Sequence, residues 1–263
     1  MKNILLIDGY NFIYRARAGF SNGEYGLVYT FFRMLRASIE RHNPDQAYFV
    51  LEGVPKQRIE LSTDYKGTRT KPTDTFLEQK SRIIELMHSF PLTSIFHPDH
   101  ECDDVLAALA EKHADDGDVV TIVSTDTDFY QLLGKDRITI YSPIKKKYMN
   151  ESFGYDYVSW KSLTGDKADN IVGFHGIGNK RAQKIIATGT SLSNWLSEGA
   201  DRKVKYDRNY KMIKFEDVDL STCKSVVPEF DQMSIHNSFR DLQFWSIIND
   251  RSWNKFVGTF CQL

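Results

Sequence analysis

Short apolar runs alternate with helical patterns through the first part of the chain, and this alternation constrains the fold more than any other feature. The apolar runs are typical of buried strands and lie at residues 3–7, 47–51, 94–97, 119–124 and 138–141. Helical patterns lie between them, at residues 26–42, 73–90, 103–114 and 128–133. Strands that alternate with helices predict an α/β fold, in which helices flank a mostly parallel sheet on both faces.

The sequence pattern becomes all-helical from about residue 155. Helices are predicted at residues 156–163 and 179–187, and the second is entered through a glycine-rich turn at residues 173–178. We therefore predict a core over residues 1–150 and a helical region over residues 151–263, packed together as one compact unit. A chain of 263 residues, 41% of them hydrophobic, is long enough to bury such a core.

Charged residues nearly cancel in number but are segregated along the chain. Lys and Arg total 34 against 35 Asp and Glu, and the basic residues concentrate at 56–82, 145–147 and 180–184. The net charge alone predicts only an ordinary soluble enzyme. The segregation favours a protein that binds a metal at one point and a polyanion around it.

The cysteine count and the apolar runs indicate a compartment. Three widely spaced cysteines offer neither a disulfide framework nor a CxxC zinc pattern, which is typical of a reducing environment. No apolar run approaches the roughly 20 residues that a membrane-spanning helix needs. The run before Asp8 is also too short for a signal peptide. We therefore expect a cytoplasmic protein that does not contact membranes.

Carboxylates follow four successive predicted strands and recur once more downstream. They are Asp8, Glu52, Glu101, Asp103, Asp104, Asp126, Asp128, Asp166 and Asp169. Because the carboxyl ends of parallel strands meet at one edge of a sheet, we expect the acids to gather there. Each acid alone has an ordinary explanation as a turn residue or helix cap, and Asp103 is a candidate cap. Together they would repel one another strongly without cations.

The ligand type indicates which cation would bind. Carboxylate oxygens without an accompanying His or Cys cluster favour Mg²⁺ or Mn²⁺ over zinc. So many acids could hold two ions, roughly 4 Å apart, that activate water and stabilise charge on a phosphodiester. The Asp-x-Asp pair at 126–128 also suits a haloacid-dehalogenase phosphatase. That family has its pair directly after the first strand, where this chain has only Asp8, so we set this interpretation aside.

Six motifs, in one order, resemble the flap endonuclease/5′ nuclease superfamily, most closely its bacteriophage and bacterial members. They are Ile7-Asp-Gly-Tyr-Asn11 with Tyr14-Arg-Ala16, Tyr65-Lys-Gly-Thr-Arg69, Glu101-Cys-Asp-Asp104, Ser124-Thr-Asp-Thr-Asp128, Gly165-Asp-Lys-Ala-Asp-Asn-Ile171 and Gly176-Ile-Gly178. The resemblance implies a PIN-like α/β nuclease core and a helical region with a helix-hairpin-helix at about residues 171–187. This fold agrees with the alternation of strands and helices.

By the same resemblance, the acids would surround two metal ions. Asp8, Glu52, Glu101 and Asp103 would surround the first, and Asp126, Asp128, Asp166 and Asp169 the second, with Asp103 as the bridge and Asp104 in the outer shell. The family usually has Asp where this chain has Glu52, so we expect altered geometry with activity retained. A non-catalytic binder of DNA junctions, with a decayed metal site, is the alternative that Glu52 favours.

The resemblance also implies catalytic and DNA-binding roles for basic and aromatic residues. Lys66 and Arg69 would hold the scissile phosphate, Lys as a point charge and Arg as a bidentate donor; their charge pattern alone predicts a solvated loop. Arg15 would bind phosphate. Tyr65 or Phe76 could stack on a base, although Phe76 could equally lie in the core. The arch that threads a single-stranded 5′ end in relatives is short here.

The glycine-rich turn is the second expected contact with DNA. Gly176 and Gly178 let the backbone approach a phosphate, and the next helix offers its N-terminal amides. Charge comes from Lys180, Arg181 and Lys184. The resemblance further implies a K⁺ ion on the carbonyl oxygens of the turn, whereas the residues alone also allow a plain interhelical turn.

These features predict a metal-dependent, structure-specific 5′ nuclease, that is, a flap endonuclease or 5′-3′ exonuclease. We expect it to hydrolyse phosphodiesters near 5′ ends, flaps and single-stranded branches of DNA. We expect a monomer that acts in replication beside replication proteins, in a bacterial cytoplasm or in that of a phage host. Removal of RNA primers from RNA–DNA hybrids, an RNase H-like activity, is an alternative that uses the same site.

Overall fold

The computed structural model describes residues 1–18, 23–149 and 154–263, and the boundary predicted at residues 150 and 151 lies outside them. Its main sheet has seven strands in the order β6-β5-β4-β1-β2-β3-β9. The strands are β1 (Asn3–Asp8), β2 (Gln46–Val50), β3 (Thr93–Phe96), β4 (Val119–Val123), β5 (Ile138–Ser142), β6 (Lys147–Met149) and β9 (Lys224–Val226). The short strands β7 (Gly165–Asp166) and β8 (Ile171–Val172) form a separate antiparallel pair.

The five predicted strands are confirmed as the parallel centre of this sheet. They run from β5 through β4, β1 and β2 to β3, and antiparallel β6 and β9 close the two edges. Side chains of β1 alternate between the faces, since Leu5 and Ile7 join one buried cluster and Ile4 and Leu6 join the other. Burial on both faces explains the nearly continuous apolar runs of the sequence.

Helices cover both faces of the sheet and continue into the C-terminal half. They are α1 (Gly9–Ala18), α2 (Gly26–His42), α3 (Lys56–Leu61), α4 (Asp74–Met87), α5 (Cys102–Asp115), α6 (Tyr157–Thr164), α7 (Asn179–Ile186), α8 (Gly189–Ser197), α9 (Ala200–Ile213), α10 (Gln232–Asp241), α11 (Trp245–Ile248) and α12 (Asp250–Phe260). Predicted helix 128–133 is a 3₁₀ helix, Asp128–Leu132. Caps follow the expected chemistry, because the side chains of Thr73 and Asp156 accept backbone hydrogen bonds at the starts of α4 and α6.

The chain returns to the α/β core after the helical region. Strand β9 pairs with β3, and α12 packs on α2. The contact is aromatic, with Phe239 and Phe256 beside Phe32 and Phe90 in one buried cluster. Only irregular helix could be predicted after about residue 190, because these segments are short and bury against residues far away in sequence.

Helices α6 to α9 form a smaller layer beside the carboxyl edge of the sheet. Its core contains Leu163, Ile177, Ala182, Ile185 and Tyr206. A second small cluster, which includes Tyr65, Ile171 and Met212, joins this layer to Leu61 at the C-terminal end of α3. Among the described residues, none of the helices is both long and apolar enough to span a bilayer.

Candidate metal centre and nucleic-acid interface

The acids of the sheet edge gather because the parallel strands end side by side. Asp8 is the last residue of β1, and Glu52 lies two residues beyond β2. Helix α1 starts at once after Asp8 because Gly9 has no side chain: a Cβ there would lie 2.4 Å from the carbonyl oxygen of Val50. This tight turn points the carboxylate of Asp8 into the cleft above β2 and β4.

The first carboxylate group is centred on Asp8 and Asp103. Ligand atoms of Asp8, Cys102 and Asp103 all lie within 4.8 Å of one another. Asp8 accepts from Ser124 Oγ at 2.7 Å, which fixes its orientation. Burial, and to a lesser degree the charge of Asp126, raise the pKa of Asp8 to about 6. Burial and then the charges of Asp8 and Asp126 raise the pKa of Asp103 well above its ordinary value. A divalent cation would relieve this repulsion between buried carboxyls.

Glu52 extends the first group from the neighbouring strand. One oxygen accepts from the backbone amide of Cys102 at 3.2 Å, and the other lies 4.0 Å from Lys66 Nζ. Burial raises the pKa of Glu52 to about 7, although the charge of Lys66 opposes this shift. The longer side chain of Glu therefore still delivers its carboxylate to the cleft.

The second carboxylate group comprises Asp128, Asp166 and Asp169, whose oxygens also lie within 4.8 Å of one another. Burial and the charge of Asp126 raise the pKa of Asp128 to about 6, against the charge of Lys161. The charge of Asp126 thus acts on both groups, because it also raises the pKa values of Asp8 and Asp103. Asp103 feels the charges of Asp8, Asp126 and Glu52, and its role as the bridge between two ions stays a prediction.

Lys161 is a functional candidate that the sequence did not identify. Its Nζ lies 2.6 Å from Asp166 Oδ2 and also contacts Asp128 Oδ1, and its side chain is 9% exposed. Burial opposes the charge of Lys161, but the carboxylate of Asp128 raises its pKa. A lone Lys inside the apolar helix α6, five residues before Asp166, was the signal available in the sequence.

Asp104, expected in the outer shell of the metal centre, is hydrogen-bonded on both carboxylate oxygens and also forms a third group of possible ligands with His100 and Glu216. Its two oxygens accept from Arg58 at 2.6 and 2.7 Å and from the backbone amides of Glu101 and Glu216. Through the contact with Glu101 it caps α5, a role that the sequence had offered to Asp103. Arg58, expected in a solvated segment, is 3% exposed and also donates to the carbonyl oxygen of Met212 at 2.9 Å.

Glu101 orients the basic residues of the cleft. It accepts from Lys66 Nζ at 2.5 Å, from Tyr65 Oη at 2.9 Å and from Arg58 Nη1 at 3.1 Å. Arg69 is held in turn by Asp169 at 2.7 Å. The structure therefore brings Lys66 and Arg69 to the two carboxylate groups, one beside each.

Burial of Tyr65 and Phe76 argues against the expectation that either ring stacks on a base. Tyr65 is 8% exposed and its hydroxyl donates to Glu101 and Asp169, so its ring is closed to a base. Phe76 lies in the core at 5% exposure, as its alternative interpretation predicted. Tyr14 is 41% exposed, packs on Phe76 with centroids 4.8 Å apart, and is the accessible ring beside the cleft.

Arg15 lies on α1 with its guanidinium partly buried. Its Nη1 is buried and has no hydrogen-bond partner among the described residues. Burial lowers the pKa of Arg15, opposed by the nearby Tyr141. A buried donor without a partner is costly, and because this nitrogen has no access to solvent, the expected contact of Arg15 with phosphate stays a prediction.

The glycine turn, residues 173–178, presents its backbone to solvent beside a basic helix face. Gly176 has a φ of +72°, which favours glycine, and a Cβ on Gly178 would meet no atom within 4 Å. Helix α7 buries Ala182 and Ile185 and exposes the opposite face. That face carries Lys180, Arg181 and Lys184.

Comparison with known proteins agrees with this geometry. A family model described as the 5′-3′ exonuclease, N-terminal resolvase-like domain, matches residues 3–161. A 5′-3′ exonuclease of Aquifex aeolicus is 30% identical over 261 residues, which cover 92% of this chain and 87% of that protein. The thermostable DNA polymerase I of Thermus thermophilus is 34% identical over 234 residues, covering 83% of this chain but only 28% of the polymerase.

Solved structures share the fold at lower identity. The bacteriophage T5 D15 protein, co-crystallized with metal ions, has a TM-score of 0.67 and 19% identity, and the match covers 98% of this chain and 99% of that one. The catalytic core of Rad2, in complex with a DNA substrate, has a TM-score of 0.65 and 17% identity, with 98% and 91% covered. The chain belongs to the 5′-3′ exonuclease family.

Proposed function

We propose that this nuclease hydrolyses phosphodiesters near the 5′ ends, flaps and junctions of DNA and uses two Mg²⁺ ions. One observation carries the proposal: two carboxylate groups lie side by side, with the Tyr65 hydroxyl between Glu101 and Asp169 and with Lys66 and Arg69 paired to these same two acids. Such an arrangement suits a phosphodiester, which brings negative charge that both the cations and the bound metals can stabilise.

The side chains fit Mg²⁺ because they offer hard oxygen ligands in two separate clusters. Two divalent ions, when bound, supply activation of the attacking water and neutralisation of the charge that builds on the phosphate. The raised pKa values of Asp8, Glu52 and Asp128 fit a metal site, because the ionised form of such carboxyls is unfavourable until a cation binds. Mn²⁺, with the same preference for oxygen, should substitute.

The cationic side chains would orient the substrate. Lys66 would neutralise a non-bridging oxygen of the scissile phosphate beside the first group, and Arg69 would bind the same or the next phosphate beside the second. Arg15, a half-buried residue of α1, would bind a phosphate further along the strand, as the resemblance implies. Tyr14 would stack on a base near the cleft.

The glycine turn and α7 would hold duplex DNA as a helix-hairpin-helix. Lys180, Arg181 and Lys184 lie on the exposed face of α7, whose N-terminal amides point towards the turn. Contacts of this kind bind the phosphate backbone and do not distinguish one base sequence from another. Duplex binding here and a single strand at the carboxylates would make the enzyme specific for structure.

A 5′-labelled DNA flap incubated with the protein and Mg²⁺ tests the proposal. We expect short products with wild type, and none with Asp8→Asn or Asp128→Asn. Asp136→Asn is the matched control, because that side chain is 95% exposed and lies outside the cleft. Absence of cleavage by wild type with Mg²⁺ or Mn²⁺, or unchanged cleavage by Asp128→Asn, would refute the proposal. Tight binding without cleavage would identify a junction binder.

The same assay with an RNA–DNA hybrid in place of the DNA flap tests primer removal. Faster cleavage of the hybrid than of the DNA flap would make the RNA-directed activity the primary one. Comparable rates would assign both substrates to the same cleft.

A further inference from the structure

The carbonyl oxygens around the glycine turn already have donors from the protein. Four of them, on residues 172, 173, 174 and 176, accept hydrogen bonds from the protein, and two of the donors come from helix α9. The pairs are Asn209 Nδ2 with Val172 O at 3.1 Å, Lys205 Nζ with Gly173 O at 2.7 Å, Ile177 N with Phe174 O at 3.1 Å, and Arg181 Nη1 with Gly176 O at 3.4 Å. Four carbonyl oxygens in and beside the turn are thus already bonded to the protein, and one of them to a charged ammonium group.

Lys205 brings a full positive charge to this position. Its ammonium lies 2.7 Å from Gly173 O and 4.9 Å from the centroid of the Phe174 ring, so it has both a carbonyl and a cation–π contact. The helix fixes it there, because Tyr206 and Asn209, the next residues of α9 towards its C-terminus that are buried, anchor this part of the helix. Burial is the main cause that lowers the pKa of Lys205, and the nearby charge of Arg208 adds to it.

A K⁺ ion does not fit this arrangement. Potassium in proteins is held by several carbonyl oxygens that replace its water shell. Here the oxygen of Gly173 points at an ammonium, and the neighbouring oxygens of Val172, Phe174 and Gly176 are already hydrogen-bonded. A second cation on the oxygen of Gly173 would lie within a few ångströms of Lys205 Nζ and be repelled.

We propose that Lys205 takes the place of a bound monovalent cation at the glycine turn, so that the grip of the turn on duplex DNA needs no potassium. The inference rests on the proposed DNA-binding role of the turn. The ammonium holds the loop against α9 through Gly173 O, and it adds positive charge behind the amides that face a phosphate. Helix α9 is therefore part of the duplex-binding unit.

Equilibrium binding to a flap duplex, in EDTA to prevent cleavage, tests the proposal. Affinity is measured by fluorescence anisotropy in KCl, NaCl and tetramethylammonium chloride at one ionic strength. Wild type should bind within about twofold in all three salts, since counterion release is shared by monovalent cations. Lys205→Met should bind on the order of tenfold more weakly, because a charged hydrogen bond to the turn is lost.

Two further variants separate this role from a general loss of charge. Lys205→Arg keeps a cationic donor and should retain most of the affinity. Lys203→Met removes an exposed charge from the same helix, where Lys203 pairs with Asp207, and should remain within about twofold of wild type. Affinity of wild type several-fold higher in KCl, or of Lys205→Met equal to wild type, would overturn the proposal.

Ion occupancy can also be measured without DNA. Crystals of the wild-type protein grown in RbCl should show no anomalous peak at Gly173 O, and a peak there would overturn the proposal. This result does not depend on nuclease activity. Failure of wild type to cleave a flap in Mg²⁺ would instead remove the proposed function and leave the ion measurement intact.

Discussion

The two carboxylate groups balance their charge in different ways. In the first, Asp8, Glu52 and Asp103 all have raised pKa values, and burial is the largest cause for each. In the second, Lys161 supplies an internal cation: although burial opposes it, the ion pair lowers the pKa of Asp166. Lys66 balances the first group only in part, at 4.0 Å from Glu52, whereas Lys161 contacts two acids of the second group directly, so the first group depends more on an external cation.

The largest expected effect is on catalysis, where the first group should tolerate substitution of its carboxylates less well than the second. Asp103→Asn should lower the single-turnover rate of flap cleavage by about 10³-fold, and Asp166→Asn by about 10²-fold, because Lys161 still supplies charge beside the second group. Rates are measured at saturating Mg²⁺, with Asp136→Asn as the control. A larger loss for Asp166→Asn than for Asp103→Asn would break the comparison.

Removal of the internal cation should affect stability most when metal is absent. Lys161→Met leaves Asp128 and Asp166 without their buried partner, which costs about 3 kcal/mol in the free energy of unfolding in EDTA. Mg²⁺ should restore much of this loss, because it binds the same carboxylates. Urea unfolding with and without Mg²⁺ measures both values.

The matched control is Lys135→Met, since Lys135 pairs with Glu111 on the surface at 47% exposure. Its effect should be below about 1 kcal/mol with or without metal. Equal destabilisation of Lys161→Met in EDTA and in Mg²⁺ would show that Lys161 does not act as a substitute for an ion.

Substitution of Glu52 tests the first group at the position where this chain differs from the family, which usually has Asp there. Glu52→Asp keeps a carboxylate on a shorter arm, so cleavage should stay within about tenfold of wild type. Glu52→Gln removes the charge and should lower the rate further and raise the Mg²⁺ concentration needed for half-maximal activity. Identical Mg²⁺ titrations of wild type and Glu52→Gln would exclude Glu52 from the metal centre.

The smallest expected effect is a pH dependence of stability in the metal-free protein. The folded-state pKa values of Asp8 and Glu52 are raised to about 6 and about 7, whereas both would ionise near pH 4 in the unfolded chain. Between these limits the folded state binds more protons, so stability falls as pH rises. The melting temperature in EDTA should drop by a few degrees from about pH 5 to about pH 7.5.

Mg²⁺ should reduce this drop, since it binds the ionised carboxylates. Glu52→Gln should flatten the part of the curve above about pH 6. A melting temperature that rises with pH across this window in EDTA would contradict the raised pKa values.

Most of the sheet and the gathering of the acids could be predicted from the sequence. The apolar runs of β1 to β5 are buried on both faces, so their pattern is strong and local. Strand-end placement then brought Asp8, Asp126 and Asp128 to one edge. The strands β6 and β9 were missed because each has three residues and lies at a sheet edge, where burial leaves little pattern.

The partners of the charged residues could not be predicted. Arg58 and Lys161 resemble surface residues in the sequence, and only their contacts with Asp104 and Asp128, across 46 and 33 positions, bury them. Tyr65 was expected to be exposed because nothing local predicts its contact with Asp169, which lies 104 positions away.

The sequence by itself determined the α/β alternation, the edge at which carboxylates collect and the family to which the chain belongs. It did so because strand burial, turn chemistry and motif order are properties of neighbouring residues. The tertiary structure alone decided which charged residues pair with one another. It paired Asp104 with Arg58, put Lys161 between two acids and set Lys205 against the glycine turn. Those pairings join distant segments, so their electrostatics depend on burial and distance.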